Sequence, residues 1–354
     1  MISYFSYIFF RGASFTLIAS QFLIYDFFGI NYNHETIAYL FFIFTFFNGG
    51  VFYPISKRIF SQGNDGDSII SVNILKLFLI TITPFFCLFL LFFSLSTLSF
   101  IALLLFSFVF KILGEICRSY NYNLCAMFFV EFLSISIFPL SVLFTFFNFS
   151  VSSDLFILSS ICLVSLLSIY LLSKLRLQNI LGSIFYSSSG ALPNNIDSII
   201  LPSIFSDIYS ELFFALRMAR SSIFIQNAFQ VVNQRKIIFQ NTFSFGFIRV
   251  LMLSFAFVLA ILVFYFLSPL SSVSTFLAFV LFSVSPFISP AAGIYIVSKA
   301  PSRILFLMSA IVLFFVLLVL FLYPLISNQY IILFVSTLYL IPFLLEAFFR
   351  SRYA

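Results

Sequence analysis

The sequence has little charge and few of the residues that catalytic or metal sites use. Only 8% of its 354 residues are charged, against roughly 25% in an ordinary soluble domain. The one histidine, His34, is too isolated for a metal site or a catalytic dyad. Cys87, Cys117, Cys125 and Cys162 form no CxxC pair, which argues against disulfides and thiolate metal sites. No GxxxxGK[ST] phosphate loop and no GxSxG turn occurs, so we predict no cofactor, no metal and no enzymatic activity.

Apolar side chains dominate instead. Hydrophobic residues make up 62% of the chain, with 59 Phe and a mean hydropathy of +1.18. Apolar stretches near 20 residues recur, each long enough to cross a hydrocarbon core of about 30 Å as a helix. We therefore predict an all-α polytopic membrane protein with short connections. The predicted spans are 3–25, 36–56, 72–94, 97–117, 124–147, 154–173, 184–205, 210–234, 246–267, 274–298, 303–323 and 330–349.

The basic residues near span ends follow the positive-inside rule. If the N-terminus is cytoplasmic, these basic residues all fall at cytoplasmic ends. The predicted outer loops contain acidic side chains but no Lys or Arg. Omitting one span would invert every later loop, so the pattern predicts twelve spans with both termini cytoplasmic. The same bias explains much of the net charge of +6, and we predict no nucleic-acid partner. The basic residues near span ends are Lys57, Arg58, Lys76, Arg118, Lys174, Arg176, Arg235, Lys236, Lys299, Arg303, Arg350 and Arg352.

Two arginines fall well inside a predicted span. Arg217 and Arg220 are three residues apart and so share one helix face. Burying them costs at least about 2.5 kcal/mol each on insertion scales. Because the planar guanidinium matches phosphate, we predict that they line a cavity for an anionic, phosphate-bearing substrate. The alternative is an internal ion pair with Glu131, Asp197 or Glu211 that only fixes helix packing.

Further basic residues occur at span depth in the first half of the chain. Arg11 lies about 12 Å from the start of its predicted helix, too deep for easy snorkelling, and is a candidate substrate-binding residue. Lys111, Glu115 and Arg118 follow an i, i+4, i+7 spacing and form one charged stripe. Glu115 is expected to pair with Arg118, which leaves Lys111 as the member expected to face a cavity.

Glu131 and Asp197 are carboxylates within predicted spans. Acidic side chains at this depth are candidates for coupling to protons or cations. The alternative is that each neutralises one of the basic residues. The sequence leaves both interpretations open, and with them the identity of a coupling ion.

Two stretches carry a family resemblance. The N-terminal IFFRGASFTLIAS has its own arginine, and the mid-chain NNIDSIILPSIFSDIYSELFFALRMARS places Asn195 and Asp197 before an apolar run, then Asp207 and Tyr209 at a polar turn. With twelve short-looped spans, these stretches resemble the polysaccharide-transport branch of the MOP superfamily, in particular Wzx-type O-antigen flippases. Residues 19–42 repeat the order of apolar run, acidic turn and new helix, as an internal repeat of six spans would.

The resemblance implies a MATE-like fold of two six-helix lobes, residues 1–175 and 176–354, related by a pseudo-two-fold axis around a central cavity. It implies an undecaprenyl-diphosphate-linked oligosaccharide as substrate, moved from the cytoplasmic to the periplasmic leaflet of the bacterial inner membrane. It also implies an O-antigen polymerase and a chain-length regulator as partners in that bilayer. The family's basic cavity positions correspond here to Arg11, Arg217 and Arg220.

Two other classes remain open, and the buried charges argue against a third, a purely structural scaffold. An O-antigen polymerase is also polytopic and rich in Phe, but it generally needs a long periplasmic loop carrying arginines, which this chain lacks. A cation-coupled exporter of the MATE type would favour acidic cavity residues for a cationic drug, whereas the balance at span depth here is basic. A structural scaffold would not require buried charge at all.

Overall fold

The chain forms helices. In the computed structural model, the described residues are 2–29, 33–57, 71–91, 93, 96–120, 122–145, 154–173, 180–223, 246–288 and 301–353, and the regular structure in this part of the chain is helical. The α-helices are α1 (Ile2–Phe27), α2 (His34–Phe46), α3 (Val72–Leu91), α4 (Thr97–Ser119), α5 (Asn123–Met127), α6 (Ser134–Phe144), α7 (Asp154–Ser173), α8 (Ile180–Asn195), α9 (Asp197–Ile204), α10 (Tyr209–Ala219), α11 (Gly246–Leu267), α12 (Val273–Val284), α13 (Ser302–Leu322) and α14 (Asn328–Tyr353).

Wider and tighter helical turns connect some of these helices. Two π-helical segments, Phe47–Phe52 after α2 and Phe128–Leu133 between α5 and α6, are called the first and second π segments below. Short 3-10 turns also occur. They are Ser206–Ile208, Arg220–Ser222, Ser285–Phe287 and Tyr323–Leu325.

Many helices are long and apolar enough to cross a membrane. Within the described residues nine meet this condition, or ten if one bent pair counts as a single span. The nine coincide with predicted spans 1 to 6, 9, 11 and 12. The bent pair covers the seventh span and the start of the eighth, and a shorter apolar helix, Val273–Phe287, covers the start of the tenth. Residues 224–234 and 289–298 of those spans lie outside the described residues. The protein is a multi-pass membrane protein, and the count of twelve stays a prediction.

The bent pair begins with α8 and is broken at a position that the sequence predicts. Residues Ile180–Ile204 and Ser206–Ser222 meet at an angle of 118°. Phe205, between them, has φ −123° and ψ 40°, outside the helical region. The polar turn that starts at Ser206 therefore separates two helices, as the predicted boundary at residue 205 requires.

The contacts divide the chain into two units. Unit 1 contains Met1–Asn31 and Phe47–Ile180, and unit 2 contains Tyr32–Phe46 and Leu181–Ala354. Helix α2 thus belongs to unit 2, and the first π segment, which follows it directly, belongs to unit 1. Two lobes divided near residue 175, with six helices each and a pseudo-two-fold axis, stay a prediction.

Phenylalanine rings fill much of the interior of unit 1. The ring centroids of Phe86 and Phe110 lie 4.9 Å apart, edge to face, and those of Phe89 and Phe106 lie 5.0 Å apart. Between apolar helices in lipid, such packing replaces the hydrophobic effect as the main source of association. A chain with 59 Phe is suited to it.

Gly114 of α4 packs closely against α5 and the second π segment. A Cβ on this glycine would overlap Val130 Cγ2 and would lie 3.2 Å from the carbonyl oxygen of Ala126. We expect Gly114→Ala to lower the free energy of unfolding by about 1–3 kcal/mol, because a stiff valine and a backbone carbonyl must both move. The unfolding temperature of the detergent-solubilised protein measures this effect.

Gly190 in α8 provides the matched control. A Cβ there would meet nothing within 4 Å, so Gly190→Ala is expected to leave the unfolding temperature unchanged or raise it slightly. Equal unfolding temperatures for the two variants would contradict the close packing at Gly114.

Candidate functional site

Three charged side chains of unit 2 form what we call the arginine cluster: Asp197, Arg217 and Arg220. Asp197 is the first residue of α9, where a carboxylate is favoured by the positive end of the helix dipole. Arg217 lies on the last turn of α10, and Arg220 opens the 3-10 turn that follows. All three side chains are buried, with exposed fractions of 1%, 9% and 4%.

One carboxylate oxygen serves both arginines. Oδ2 of Asp197 lies 3.5 Å from Nη2 of Arg217 and 3.2 Å from Nη1 of Arg220. Two guanidinium groups share one carboxylate, so the cluster carries one positive charge in excess. These distances are longer than the roughly 2.7–2.9 Å of a strong charge-assisted hydrogen bond.

Neutral oxygens provide the remaining polar contacts. Nη1 and Nη2 of Arg217 donate to Oδ1 of Asn195 at 3.5 Å and to Oγ of Ser198 at 3.3 Å. Nη1 of Arg220 donates to the backbone carbonyl of Asn194 at 2.9 Å. The end of α8 and the start of α9 therefore supply all these acceptors.

Aromatic rings face both guanidinium groups. Each arginine lies against two rings, and a cation over an aromatic face gains about 0.5–2 kcal/mol. Arg217 Cζ is 4.8 Å from the Phe213 ring centroid and 5.4 Å from that of Phe41, and Arg220 Cζ is 4.1 Å from that of Phe282 and 5.1 Å from that of Tyr339. The rings hold the charged groups in place without supplying a counter-charge.

Several polar atoms of the cluster are buried without a hydrogen-bond partner among the described residues. They are Nε of Arg217, Nε and Nη2 of Arg220, and Oδ1 of Asp197. Each guanidinium has five N–H donors, and buried polar groups are normally satisfied. The arginine cluster therefore retains donors, and one positive charge, that an anionic ligand could use.

Reciprocal serine contacts fix the segment that carries Arg220. Ser222 Oγ donates to the carbonyl oxygen of Ser283 at 2.6 Å, and Ser283 Oγ donates to the carbonyl oxygen of Ala219 at 2.7 Å. These bonds join the end of α10 to α12. They place Arg220 over Phe282, the neighbour of Ser283.

Unit 1 contains a second charged group, which we call the mixed-charge network. Its basic members are Arg11, Lys57, Lys111 and Arg118, and its acidic members are Glu115 and Glu131.

Glu115 and Glu131 connect three of the basic side chains. Oε1 of Glu115 lies 3.0 Å from Nζ of Lys57 and 2.9 Å from Nη1 of Arg118. Glu131 lies 3.5 Å from both Arg11 and Arg118. The pair of Glu115 with Arg118 is the one predicted from the helical spacing of the stripe.

Lys111 is held by neutral atoms. Its Nζ donates to the carbonyl oxygen of Asn48 at 2.7 Å and also to the Asn48 side-chain oxygen. The Asn48 amide in turn donates to Ser107 Oγ at 3.1 Å and to the carbonyl oxygen of Ser134. Asn48 lies in the first π segment and Glu131 in the second, and such wide turns are frequent at functional sites.

The structure groups the predicted site residues by unit. Arg11, Lys111 and Glu131 lie in unit 1, while Arg217, Arg220 and Asp197 lie together in unit 2. Of the three acids named as alternative partners for the arginines, Asp197 contacts both. Glu131 contacts Arg11 and Arg118 instead, and Glu211 is exposed. Substrate binding and ion coupling by these residues stay predictions.

Sequence reasoning missed two polar residues. The positive-inside pattern places Lys57 at the cytoplasmic end of its span, and its pairing with buried Glu115 gives no signal in the sequence. Glu346 on α14 accepts a hydrogen bond from the hydroxyl of Tyr186 on α8. The sequence does contain a signal for Glu346, because this acidic residue falls inside the last predicted span.

Comparisons with known proteins give no identification. No protein-family model, curated protein or solved structure matches the chain. Among the described residues, no three His, Cys, Asp or Glu side chains come together as a metal site. The two charged groups are therefore the features from which a function can be inferred.

Proposed function

We propose that the protein is a flippase that moves an undecaprenyl-diphosphate-linked oligosaccharide from the cytoplasmic to the periplasmic leaflet of the bacterial inner membrane by alternating access. It resembles Wzx-type transporters of the MOP superfamily in the pattern of its spans and charges. As a transporter it requires no cofactor and catalyses no reaction of its own. An O-antigen polymerase and a chain-length regulator acting on the exported units are its proposed partners.

The excess of basic over acidic side chains in both charged groups carries the proposal. Among the described residues, the mixed-charge network has four basic members, of which Lys111 contacts the neutral Asn48, against two acidic ones, and the arginine cluster has two against one. Most of these residues are buried within or at the ends of apolar helices long enough to cross a membrane. Buried positive charge at this depth is costly, so a substrate with an acidic head group is the best reason to retain it.

Arg217 and Arg220 are the proposed diphosphate ligands. Their unused N–H donors point to an acceptor with several oxygens, and the planar guanidinium matches phosphate geometry. Arg11 and Lys111 are the proposed basic residues of unit 1 that attract the head group. The polyprenyl chain remains in the lipid, so its movement between leaflets does not expose apolar surface to water.

The contacts of Lys57 and Arg118 support the proposed topology. The positive-inside rule places both at the cytoplasmic ends of their spans. Both lie within 3.0 Å of the same carboxylate, that of Glu115, as expected for two side chains at one face of the membrane. The contacts therefore support placing both residues at one face of the membrane, and the positive-inside rule makes that face the cytoplasmic one.

Release of the head group requires a further step. Desolvated arginines bind a diphosphate firmly, and a ligand shifts a conformational equilibrium only by its difference in affinity between the two states. Glu131 and Asp197 are the candidates for coupling release to protons or sodium, since both contact basic side chains of the proposed site.

Localisation of the lipid-linked repeat unit tests the proposal. A strain lacking the gene is expected to accumulate lipid-linked single repeat units on the cytoplasmic leaflet, and the intact gene should restore export. Glycosidase protection in right-side-out and inverted membrane vesicles distinguishes the two leaflets. Single repeat units on the outer leaflet of the deletion strain would contradict a flippase and would instead indicate a polymerase.

A further inference from the structure

The carboxylate of Asp197 lies between the two guanidinium groups of the arginine cluster. Its Oδ2 bridges the two guanidinium groups, at 3.5 Å from Arg217 Nη2 and 3.2 Å from Arg220 Nη1. Carboxylate and phosphate oxygens use the same N–H donors of arginine. Asp197 and an anionic ligand therefore cannot both hold these donors fully.

The observed pairing is weaker than two ideal ion pairs would be. One carboxylate oxygen serves both arginines in place of the two-oxygen fork of a bidentate pair. Oδ1 of Asp197 has no hydrogen-bond partner among the described residues, and three guanidinium nitrogens of the cluster likewise make no hydrogen bond to them. A ligand with more oxygens can accept hydrogen bonds from donors that the aspartate does not use.

The same aspartate keeps the arginines from being left without a counter-charge when no ligand is bound. If a bound anion left and nothing replaced it, two buried guanidinium groups would remain without a counter-charge, which is strongly unfavourable. Asp197 is only 1% exposed and lies on α9, directly after the turn at Ile196 that ends α8. Its carboxylate is thus available as an alternative partner for the arginines within the same cluster.

We infer that Asp197 is an internal competitor that exchanges with the anionic head group on Arg217 and Arg220 and so promotes its release. This inference rests on the proposed function. The charges also define the preferred ligand class. Once the aspartate has moved aside, two guanidinium groups match the double negative charge of a diphosphate diester. A singly charged monophosphate diester displaces the aspartate less well.

A purely structural ion pair predicts the opposite result for the main variant. If Asp197 only neutralised the arginines, Asp197→Asn would disturb their geometry and weaken anion binding. An internal competitor requires that Asp197→Asn strengthen binding. The two roles therefore differ in the sign of the effect on affinity.

The test measures binding of two synthetic probes to the purified full-length protein in nanodiscs: a farnesyl diphosphate glycoside and the corresponding monophosphate glycoside. We expect Asp197→Asn to bind the diphosphate probe at least about tenfold more tightly than the wild type. Its export activity should fall, because release becomes slower. Glu211→Gln removes an exposed carboxylate at the start of α10 and is expected to bind as the wild type does.

A second variant covers the case in which Asp197→Asn fails to fold. Ser198 Oγ lies 3.3 Å from Arg217 Nη2, and this residue is in the first turn of α9, where an added carboxylate is tolerated. We expect Ser198→Asp to add a second competitor and to weaken binding of the diphosphate probe by about tenfold.

The outcomes distinguish failure of the inferred role of Asp197 from failure of the proposed flippase function. Unchanged or weaker binding by folded Asp197→Asn, or unchanged binding by Ser198→Asp, overturns the role of Asp197 while the flippase remains viable. If the wild type binds neither probe, or if Arg217→Gln binds as the wild type does, the proposed function fails and the inference fails with it. Equal affinity for both probes overturns the preference for a diphosphate.

Discussion

Arg217→Gln and Arg220→Gln are each expected to abolish export of the lipid-linked glycan while the protein still inserts into the membrane. Each substitution removes charge-assisted donors worth about 1.5–3 kcal/mol per hydrogen bond, so the loss of two such bonds lowers head-group affinity about a hundredfold or more. Both side chains are buried among rings and neutral acceptors that cannot replace the lost charge. The measurement is the ratio of exported to cytoplasmic-leaflet repeat units in cells that express each variant.

Two controls distinguish head-group binding from a general effect of charge. Arg303→Gln removes one exposed positive charge near the start of α13 and is expected to retain export. Arg217→Lys keeps the charge but loses the planar fork, so partial export is expected. Wild-type export by Arg217→Gln, at matched amounts of inserted protein, would remove this arginine from the mechanism.

Local patterns predicted much of the architecture. Runs of apolar residues predict the positions of the helices, and the polar residues after Phe205 predict the break between α9 and α10. The pairing of Glu115 with Arg118 followed from their separation by three residues on one helix. These features depend on neighbours within one or two helical turns, and such neighbours are visible in a sequence.

The partners of the remaining charges could not be predicted. Glu131, Asp197 and Glu211 were equally acceptable counter-ions for the arginines, because sequence separation does not determine which helices pack together. The break after Ile204 turns α10 back by 118° and lets Arg217 and Arg220 reach Asp197.

Other contacts depend in the same way on packing between distant segments. Lys57 contacts Glu115 across 58 residues, and Lys111 reaches Asn48 across 63. The π segments that hold Asn48 and Glu131 have no counterpart in the apolar pattern. Their widened turns coincide with the contacts of Lys111 and of Arg118, so tertiary packing rather than local preference is their best explanation.

Glu115→Gln is expected to destabilise the folded protein more than the other substitutions considered above. Glu115 is completely buried, and its Oε1 lies 3.0 Å from Lys57 Nζ and 2.9 Å from Arg118 Nη1. Removing one partner of a buried ion pair leaves an uncompensated buried charge and typically costs about 3–5 kcal/mol. The amount of folded protein after detergent extraction and its unfolding temperature measure this loss.

The exposed Glu35, in the first turn of α2, provides a charge-matched control, and Glu35→Gln should unfold at the wild-type temperature. The double variant Lys57→Met with Glu115→Gln removes a cation together with its counter-charge. It should therefore recover part of the stability, because contributions from groups in direct contact are not additive. An unfolding temperature for Glu115→Gln equal to that of the wild type would contradict a stabilising role. If the double variant folds well but no longer exports glycan, the pair of Lys57 and Glu115 is needed for transport as well as for stability.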